Sequence, residues 1–277
     1  MSDTSNQVAA LVILYHYSQI NIEFISSYAD QVGRVYCFDN SENENPELER
    51  ELLKIENLTY ISYHQNMGLP KAINIVSHKA MEEGYKWLTT FDQDSQVDKM
   101  MIPTMRDFIS NFDKIEDVGI VAPVIEDGKT QFGIPVSEFS YYDRVIQSGA
   151  MHNLEILHKL DGYDENLFID QVDFEYCIRL IKNQYKIVKL NKAILIHNIE
   201  DKESEVKYIN GKRYLLNKYP PIRYYYIIRN NLYCGKKYRD VFRPYYAETR
   251  RNMEVIRKTV WYDKDKLIRI KTIICAS

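Results

Sequence analysis

The sequence predicts an α/β fold built on a mostly parallel central sheet, and three observations predict it. Through the first two-thirds of the 277 residues, apolar strand-like segments alternate with segments of helical spacing. Polar and acidic residues follow directly after several of these predicted strands. Beyond Pro220 the pattern becomes helical and basic. We therefore expect an α/β domain at residues 1–215 and a helical, basic, Tyr-rich extension at residues 216–277.

Short apolar segments rich in β-branched and aromatic residues identify the strands. The predicted strands are Val8–Tyr17, Val32–Phe38, Leu58–Tyr63, Lys86–Phe91, Val118–Val124, Val145–Met151 and Ile187–His197. Helices are indicated by apolar residues three and four apart, and Pro70 and Gly84 mark the two ends of the clearest one. The predicted helices are Pro46–Glu56, Leu69–Gly84, Met100–Phe112, Leu154–Leu160, Asp173–Lys182, Tyr224–Tyr233 and Tyr246–Thr259.

Several polar segments follow predicted strands, and ligands of open parallel sheets bind beyond the carboxyl ends of the strands. We therefore expect these segments to converge at one edge of the sheet, which is more specific than any one of them alone. The segments are Tyr15-His16, Asp39-Asn40-Ser41, Asn66-Met67-Gly68 and Asp92–Ser95.

The most informative segment is Asp92-Gln93-Asp94, which leaves the apolar strand Trp87–Phe91. Two carboxylates two residues apart on such a turn can hold a divalent cation and the hydroxyl groups of a ligand. Mg²⁺ or Mn²⁺ held there would neutralise the charge on a leaving diphosphate. An acidic turn alone is typical of a solvated loop, so its position after a buried strand is what favours a functional role.

The net charge of −3 conceals an acidic part and a basic part. Residues 201–277 contain 19 Lys and Arg against 8 Asp and Glu, together with 11 of the 23 Tyr. This composition suits an anionic membrane surface, a diphosphate-bearing substrate or nucleic acid. A solvated helical face that pairs with the acidic part is an equal alternative.

Targeting and redox signals favour a cytoplasmic protein. The sequence shows no signal peptide and no apolar stretch of membrane-spanning length. Its four cysteines are scattered without a CxxC pair, as expected for reduced, mostly buried thiols. These cysteines are Cys37, Cys177, Cys234 and Cys275.

Five motifs, in this order and within about residues 8–235, resemble those of the family-2 GT-A glycosyltransferases. They are Phe38–Ser41, Asn66–Asn74, Phe91–Ser95, Ser148–Met151 and Phe168–Arg179. The D-Q-D-S form of the metal motif is most similar to that of bacterial rhamnosyltransferases. The resemblance implies a GT-A fold, with a nucleotide-binding half at about residues 1–98 and an acceptor-binding half at about residues 99–215. It also implies inverting transfer of a sugar, with Mg²⁺ or Mn²⁺ as cofactor.

The resemblance also implies a donor site at the strand ends. Tyr15 would stack on the nucleobase, and Asp39 would accept a hydrogen bond from the imide N–H that thymine and uracil share. A glycine before a helix N-terminus would let the backbone approach the diphosphate. The donor nucleotide-binding residues implied are Tyr15, Asp39, Asn66, Gly68, Lys71 and Asp92.

The metal and diphosphate ligands are implied by the same resemblance. Asp94 would hold the metal, and His197 would complete the metal site or touch the diphosphate. Arg229, in the basic aromatic helix, would grip phosphate in a bidentate manner. A surface helix without that role is the main alternative for Arg229.

The resemblance assigns the catalytic base to Asp173, which would remove the proton of the acceptor hydroxyl while the diphosphate leaves from the opposite face. The chain departs from the common family pattern, because Val172 stands where a Glu usually precedes the base. Asp170 is a candidate to replace that acid. Acids at a helix N-terminus are also ordinary caps. The donor-sugar and acceptor residues implied are Ser148, Gly149, Asp170 and Glu175.

Three rival functions fit less of the sequence. A nucleotidyltransferase would want a glycine-rich phosphate loop near the first strand, and Leu14–Ser18 contains no glycine. A retaining transferase would lack the acidic pair before the second helix. A basic aromatic module that binds membrane or nucleic acid without catalysis accounts for residues 201–277 but leaves the acids at the strand ends unexplained.

The expected reaction is transfer of L-rhamnose from dTDP-L-rhamnose to a growing bacterial surface polysaccharide, with a UDP-hexose or another nucleotide sugar as the alternative donor. The expected acceptor is a saccharide carried on a lipid diphosphate. We expect the basic extension to hold the enzyme on the inner face of the cell membrane, with no nucleic-acid partner.

Overall fold

The computed structural model describes residues 7–126, 137–196, 204–209, 212–217 and 219–239. The chain divides into two compact units, one of residues 1–166 with 172–198 and the other of residues 167–171 with 199–277. The short segment 167–171 therefore belongs to the same unit as the C-terminal part of the chain. The predicted helix Tyr246–Thr259 lies outside the described residues, as do His197 and Cys275.

A nine-stranded sheet forms the centre of the first unit. Its strands are β1 (Val8–Leu14), β2 (Arg34–Asp39), β3 (Leu58–Ser62), β4 (Trp87–Asp92), β5 (Gln96–Val97), β6 (Val118–Glu126), β7 (Phe139–Tyr141), β8 (Met151–Asn153) and β9 (Lys186–Ile196). Their order is β3-β2-β1-β4-β8-β6-β9-β5, and β7 pairs with β9. Strands β3, β2, β1 and β4 run parallel, as do β6 and β9. The predicted α/β fold with a largely parallel sheet is thus confirmed.

Strand β1 is central because every one of its seven residues is apolar and buried. A strand that is covered on both faces reads as a continuous apolar run, and β1 pairs with β2 on one side and with β4 on the other. Its carboxyl end therefore lies between those of two parallel neighbours, where Asp39 and Asp92 end β2 and β4.

The sheet becomes mixed at β8, where the sequence analysis was wrong. The predicted strand Val145–Met151 is instead a turn that leads into β8, which runs antiparallel to β4 and β6. Gly149 has φ +78°, and its N–H donates to the carbonyl of Thr90 at 2.7 Å. The apolar pattern of residues 145–151 therefore reflects burial at a turn across the end of β4 and not an extended strand.

Seven α-helices are described. They are α1 (Gln19–Ser26), α2 (Pro46–Leu52), α3 (Leu69–Glu82), α4 (Met101–Asn111), α5 (Leu154–Lys159), α6 (Val172–Lys182) and α7 (Pro221–Lys237). The sequence analysis located the last six and missed α1, which is short. Asn21 Oδ1 accepts the backbone N–H of Ser18 at 2.8 Å, and this local bond starts α1.

The second unit contains α7 and an antiparallel hairpin of β10 (Ser204–Ile209) and β11 (Lys212–Asn217). The sequence analysis did not predict the hairpin, although Asn-Gly at positions 210–211 is a strong two-residue turn signal. In the described part of the chain no helix combines the length and apolar character needed to cross a membrane. The three described cysteines are free and buried, as predicted: Cys37, Cys177 and Cys234.

Candidate active site

The turn Asp92-Gln93-Asp94 is fixed by two hydrogen bonds of Gln93, one to its side chain and one to its backbone carbonyl. Its side-chain Oε1 accepts the N–H of Tyr15 at 2.8 Å, and its carbonyl accepts the side-chain amide of Asn21 at 2.9 Å. The residue between the two acids therefore fastens the turn to the end of β1 and to α1. Asp94 is exposed on this fixed turn, and Asp92 is partly buried.

A second segment, Gln147-Ser148, forms hydrogen bonds with the same turn. The side-chain amide of Gln147 donates to Asp92 Oδ1 at 2.6 Å. Ser148 is buried, its hydroxyl lies 2.7 Å from that of Ser95, and it accepts the N–H of Asp92 at 3.3 Å. These contacts orient the Asp92 carboxylate before any ligand binds.

Asp173 is the second residue of α6, and its carboxyl group is the most strongly perturbed acid in the described site. Burial raises its pKa to about 6, against hydrogen bonds from the backbone N–H groups of Phe174 and Gln147 that lower it. The negative charge of Asp92 raises the pKa of Asp173 further. Gln147 thus contacts both acids, Asp92 through its side chain and Asp173 through its backbone. A carboxylate with a pKa near neutrality suits general-base chemistry.

Asp39, at the end of β2, is only 2% exposed. Its Oδ2 accepts the hydroxyl of Tyr60 at 2.7 Å, and its Oδ1 accepts the N–H of Ser41 at 2.8 Å. A carboxylate oxygen has more than one acceptor position, so these two bonds orient the group without filling it. The neighbouring ring of Tyr15 is 44% exposed, as stacking on a nucleobase would require.

The Asn40–Gly68 contacts join the end of β2 to the turn that starts α3. Asn40 Oδ1 accepts the N–H of Met67 at 3.1 Å, and Asn66 Oδ1 accepts the N–H of Gly68 at 3.0 Å. Gly68 caps the helix at φ +80°, a conformation that glycine adopts without strain. Lys71 lies in the first turn of this 14-residue helix, whose N-terminus favours an anion.

The first unit therefore carries an exposed aromatic ring and acids at its strand ends, a helix N-terminus, and a partly buried carboxyl group of raised pKa at the start of α6. In sequence, the chain is 26% identical over 244 residues to the dTDP-rhamnosyl transferase RfbF of Shigella flexneri, a match that covers 82% of this chain and 79% of that protein. No protein-family model matches the chain.

Solved structures show the same fold. The structure of GalNAc-T7 with UDP, GalNAc and Mn²⁺ matches with a TM-score of 0.57 at 13% identity, over 69% of this chain and 44% of that one. TarS of S. aureus matches with a TM-score of 0.52 at 17% identity, over 81% of this chain and 38% of that one. The chain thus spans less than half the length of these two solved chains. The chain therefore has the GT-A fold of these solved structures.

Asp94 is the exposed acid of the Asp92-Gln93-Asp94 turn and a candidate metal ligand. Within residues 7–126 and 137–196 and the described segments beyond them, no three His, Cys, Asp or Glu side chains are grouped to hold a metal ion. Mg²⁺ is usually bound by only one or two carboxylates, with phosphate oxygens and water as the other ligands. The exposed carboxylate of Asp94 fits that donor set.

Glu175 is placed differently from the acceptor contact that the sequence analysis expected. Its side chain has no exposed surface, and its two oxygens lie 3.1 and 2.9 Å from Nε of Arg179. The same guanidinium donates to the carbonyls of Leu160 and Gly162. Glu175 therefore orients an arginine that holds the loop between α5 and α6, and we do not assign it to the acceptor site.

Ser148 and Gly149, which the sequence analysis places beneath the donor sugar, are both buried. Ser148 is 1% exposed. A Cβ on Gly149 would stand 2.7 Å from Cγ of Pro123 and 3.0 Å from Cδ2 of Leu195. Packing against these two core side chains, together with φ +78°, explains the glycine. Ser148 contacts the Asp92 turn through its hydroxyl group, whereas the N–H of Gly149 bonds to Thr90.

Two of the expected site residues belong to the second unit. The pKa of Asp170 is raised by burial, and Arg223 lies 3.5 Å from its Oδ2 and counteracts that rise. The Arg229 guanidinium donates to Oδ1 of Asn230 at 2.9 and 2.7 Å and lies 4.9 Å from the centre of the Tyr226 ring. These contacts account for the position of Arg229 within its own unit.

Sequence reasoning missed the residues that orient the acids. Gln147, Gln93 and Asn21 are uncharged amides without a motif of their own. Gln147 stands directly before the Ser148-Gly149 motif and Gln93 stands between the two acids, so motif adjacency was the available signal. Asn21 carries no such signal, because its bond to Gln93 joins residues 72 positions apart.

Proposed function

We propose that this glycosyltransferase transfers L-rhamnose from dTDP-L-rhamnose, with inversion, to a saccharide acceptor in bacterial surface-polysaccharide synthesis. The similarity to a dTDP-rhamnosyl transferase over most of both chains supports the donor. The observation that carries the reaction type is Asp173, whose pKa is raised to about 6 at the start of α6.

The chemistry is a single displacement. An oxygen of the acceptor hydroxyl attacks the anomeric carbon of the donor sugar, and the bond from that carbon to the diphosphate oxygen breaks. The hydroxyl proton moves to Asp173, and the dTDP leaves with the bonding electrons. A base of pKa about 6 is ionised at neutral pH and still accepts a proton effectively, which an ordinary solvated Asp does poorly.

Asp92 and Asp173 have separate tasks in this proposal. Oδ1 of Asp92 accepts a hydrogen bond from the side-chain amide of Gln147, which orients the carboxylate for contact with the donor nucleoside. Asp173 receives backbone N–H groups, which hold its carboxylate without supplying a counter-charge. The negative charge of Asp92 raises the proton affinity of Asp173.

A divalent cation would be held by Asp94 and by oxygens of the donor diphosphate. Bound there, Mg²⁺ or Mn²⁺ supplies positive charge that stabilises the leaving diphosphate. His197 is the second proposed ligand. The contribution of the described chain is the rigid turn, since Gln93 fixes the main chain on the N-terminal side of Asp94.

The donor is tested by isothermal titration of the protein with dTDP-L-rhamnose, UDP-glucose and UDP-N-acetylgalactosamine, each with Mg²⁺ or Mn²⁺. We expect dTDP-L-rhamnose to bind at least about tenfold more tightly than the UDP sugars, a difference of about 1.4 kcal/mol. Tighter binding of a UDP sugar would show that the donor is a UDP sugar and would leave the proposed reaction type unchanged. Binding of no uridine or thymidine diphosphate sugar would refute the proposed function.

The acceptor proposed is a saccharide on a lipid diphosphate, reached at the inner face of the cell membrane. The support is the excess of Lys and Arg over Asp and Glu in residues 201–277. Sedimentation with anionic vesicles tests it, using the full chain and a chain that ends at residue 239. Equal vesicle binding by the two chains would show that the last 38 residues do not bind the membrane.

A further inference from the structure

The segment Leu167–Gln171 has an unusual backbone. Phe168, Asp170 and Gln171 have φ values of +59°, +63° and +66°, so three of four consecutive non-glycine residues are left-handed. Side chains other than glycine rarely adopt this region, and such residues persist only where the surroundings over-determine them. The structure must therefore contain contacts that impose this conformation.

Asn230 of α7 supplies those contacts. Its side-chain Nδ2 lies 2.7 Å from the carbonyl of Leu167, 2.6 Å from that of Ile169 and 2.9 Å from that of Asp170. The side chain is fully buried. All three neighbours are carbonyl oxygens, which only accept hydrogen bonds, so the end of the amide that faces the loop is the nitrogen. Its two hydrogens are shared among the three acceptors.

The other end of the same side chain is also engaged. Oδ1 of Asn230 accepts two N–H groups of Arg229. The loop has two further contacts with α7. The ring of Phe168 stacks on Tyr226 with centroids 4.8 Å apart, and Asp170 pairs with Arg223 at 3.5 Å. All of these contacts lie within the second unit.

We propose that Asn230 is a positioning residue of the transferase, which fixes the left-handed loop that leads into the helix of the catalytic base. The proposal rests on the function proposed above. Its physical basis is chain continuity, since the loop ends at Gln171, α6 begins at Val172, and Asp173 follows. The conformation of Gln171 acts on the first turn of α6 through the covalent chain, because Gln171 stands two residues before Asp173. Asn230 itself does not touch a reacting atom in this scheme.

The C-terminal part of the chain thereby gains a role in the chemistry beyond any membrane contact. A base must be placed within hydrogen-bond reach of the acceptor hydroxyl, and small displacements of such a group reduce the rate strongly. Donor binding depends on the strand ends and the N-terminus of α3, all within the first unit. Loss of the Asn230 contacts should therefore affect kcat and leave donor affinity unchanged.

The matched pair of variants is Asn230→Ser and Asn231→Ser. Asn231 is also buried in α7, but its Nδ2 donates to the carbonyl of Ile227 in the same helix. We expect Asn230→Ser to lower kcat at least 30-fold with donor Kd within twofold of wild type. Asn231→Ser should keep kcat within threefold. Equal losses in the two variants, or an unchanged kcat in Asn230→Ser, would overturn the proposal.

Hydrogen exchange separates this proposal from the proposed function. Amides of residues 168–172 should exchange at least tenfold faster in Asn230→Ser than in Asn231→Ser. Unchanged exchange would show that Asn230 does not hold the loop. A wild-type protein that binds no nucleotide sugar would instead refute the transferase function, and the exchange experiment would still decide whether the asparagine holds the loop.

Discussion

Gln147 connects Asp92 to Asp173, because its side-chain amide donates to Asp92 Oδ1 at 2.6 Å and its backbone N–H donates to the Asp173 carboxylate. The two acids that the sequence places 81 positions apart thus share one neighbour. One residue orients the donor-side acid and also stabilises the ionised form of the proposed base. The predictions below test the parts of this arrangement.

Asp173→Asn should abolish transfer while donor binding persists. The amide keeps the shape and can accept the N–H of Phe174, but it does not accept the acceptor's proton. We expect kcat to fall by about 10²–10⁴-fold, the usual contribution of a general base. Sugar-transfer assays measure kcat, and donor titrations measure the donor affinity. The control is Asp113→Asn, at an exposed position. An active Asp173→Asn enzyme would refute the assignment.

The same variant should be more stable than wild type at pH 8. The pKa of Asp173 is raised in the folded protein to about 6, from the ordinary 3.8, so folding is opposed wherever the group is ionised. We expect a gain of about 1–2 kcal/mol in the free energy of unfolding above pH 6, after a discount for solvent screening. The gain should vanish below about pH 3, where the carboxyl is protonated in both the folded and the unfolded state. Chemical denaturation at pH 8 and at about pH 3 measures it.

The rate should depend on pH through Asp173. Because the base must be ionised, kcat/KM should fall about tenfold for each pH unit below about 6. Asp92→Asn removes a negative charge that raises this pKa, so the acid limb should move to lower pH. A limb that stays in place in Asp92→Asn would show that the two acids are not coupled.

Gln147→Glu should damage the site more than loss of a hydrogen bond would. The new carboxylate would stand where an amide now lies 2.6 Å from Asp92 Oδ1, and two like charges so close cannot both ionise favourably. We expect donor affinity to fall at least about tenfold, or about 1.4 kcal/mol. Gln19→Glu, on the exposed start of α1, should leave titration curves unchanged.

Asp94→Asn should weaken metal-dependent donor binding. The exposed carboxylate is the described group best placed to hold a cation, and an amide oxygen is a weaker ligand than a carboxylate. Donor affinity measured with Mg²⁺ should fall at least about tenfold, whereas affinity measured with EDTA should be the same as in wild type. Asp30→Asn is the exposed control. Equal affinities with Mg²⁺ in Asp94→Asn and wild type would exclude Asp94 as a ligand.

Gly149→Ala and Gly84→Ala should differ in stability although both glycines have positive φ. A Cβ at Gly149 would meet Pro123 at 2.7 Å, whereas a Cβ at Gly84 would meet nothing within 4 Å. We expect a loss of about 1 kcal/mol at Gly84 from backbone strain alone, and about 2–4 kcal/mol at Gly149. Urea unfolding compares them. Equal losses would show that the crowding at Gly149 is relieved by movement of its neighbours.

The sequence alone predicted the elements whose signals are local. The continuous apolar run of β1 and the strand that ends at Asp92 are legible because burial on both faces demands apolar residues throughout. The acids at the strand ends then follow, because parallel strands place their carboxyl ends at one edge. The start of α6 beside Asp173 was located within one residue for the same local reason.

Tertiary structure alone decided which polar groups meet. Gln147 reaches Asp92 across 55 positions, and Asn230 reaches Asp170 across 60. No local pattern encodes such a pair, because each residue is an unremarkable amide until the fold brings its partner close. Burial of Glu175 against Arg179 was hidden for the same reason, since an acid in a helix has the same sequence whether it faces water or the interior. The sequence thus determined where the acids stand along the chain, and the packing of distant segments determined which of them are buried and which have a raised pKa.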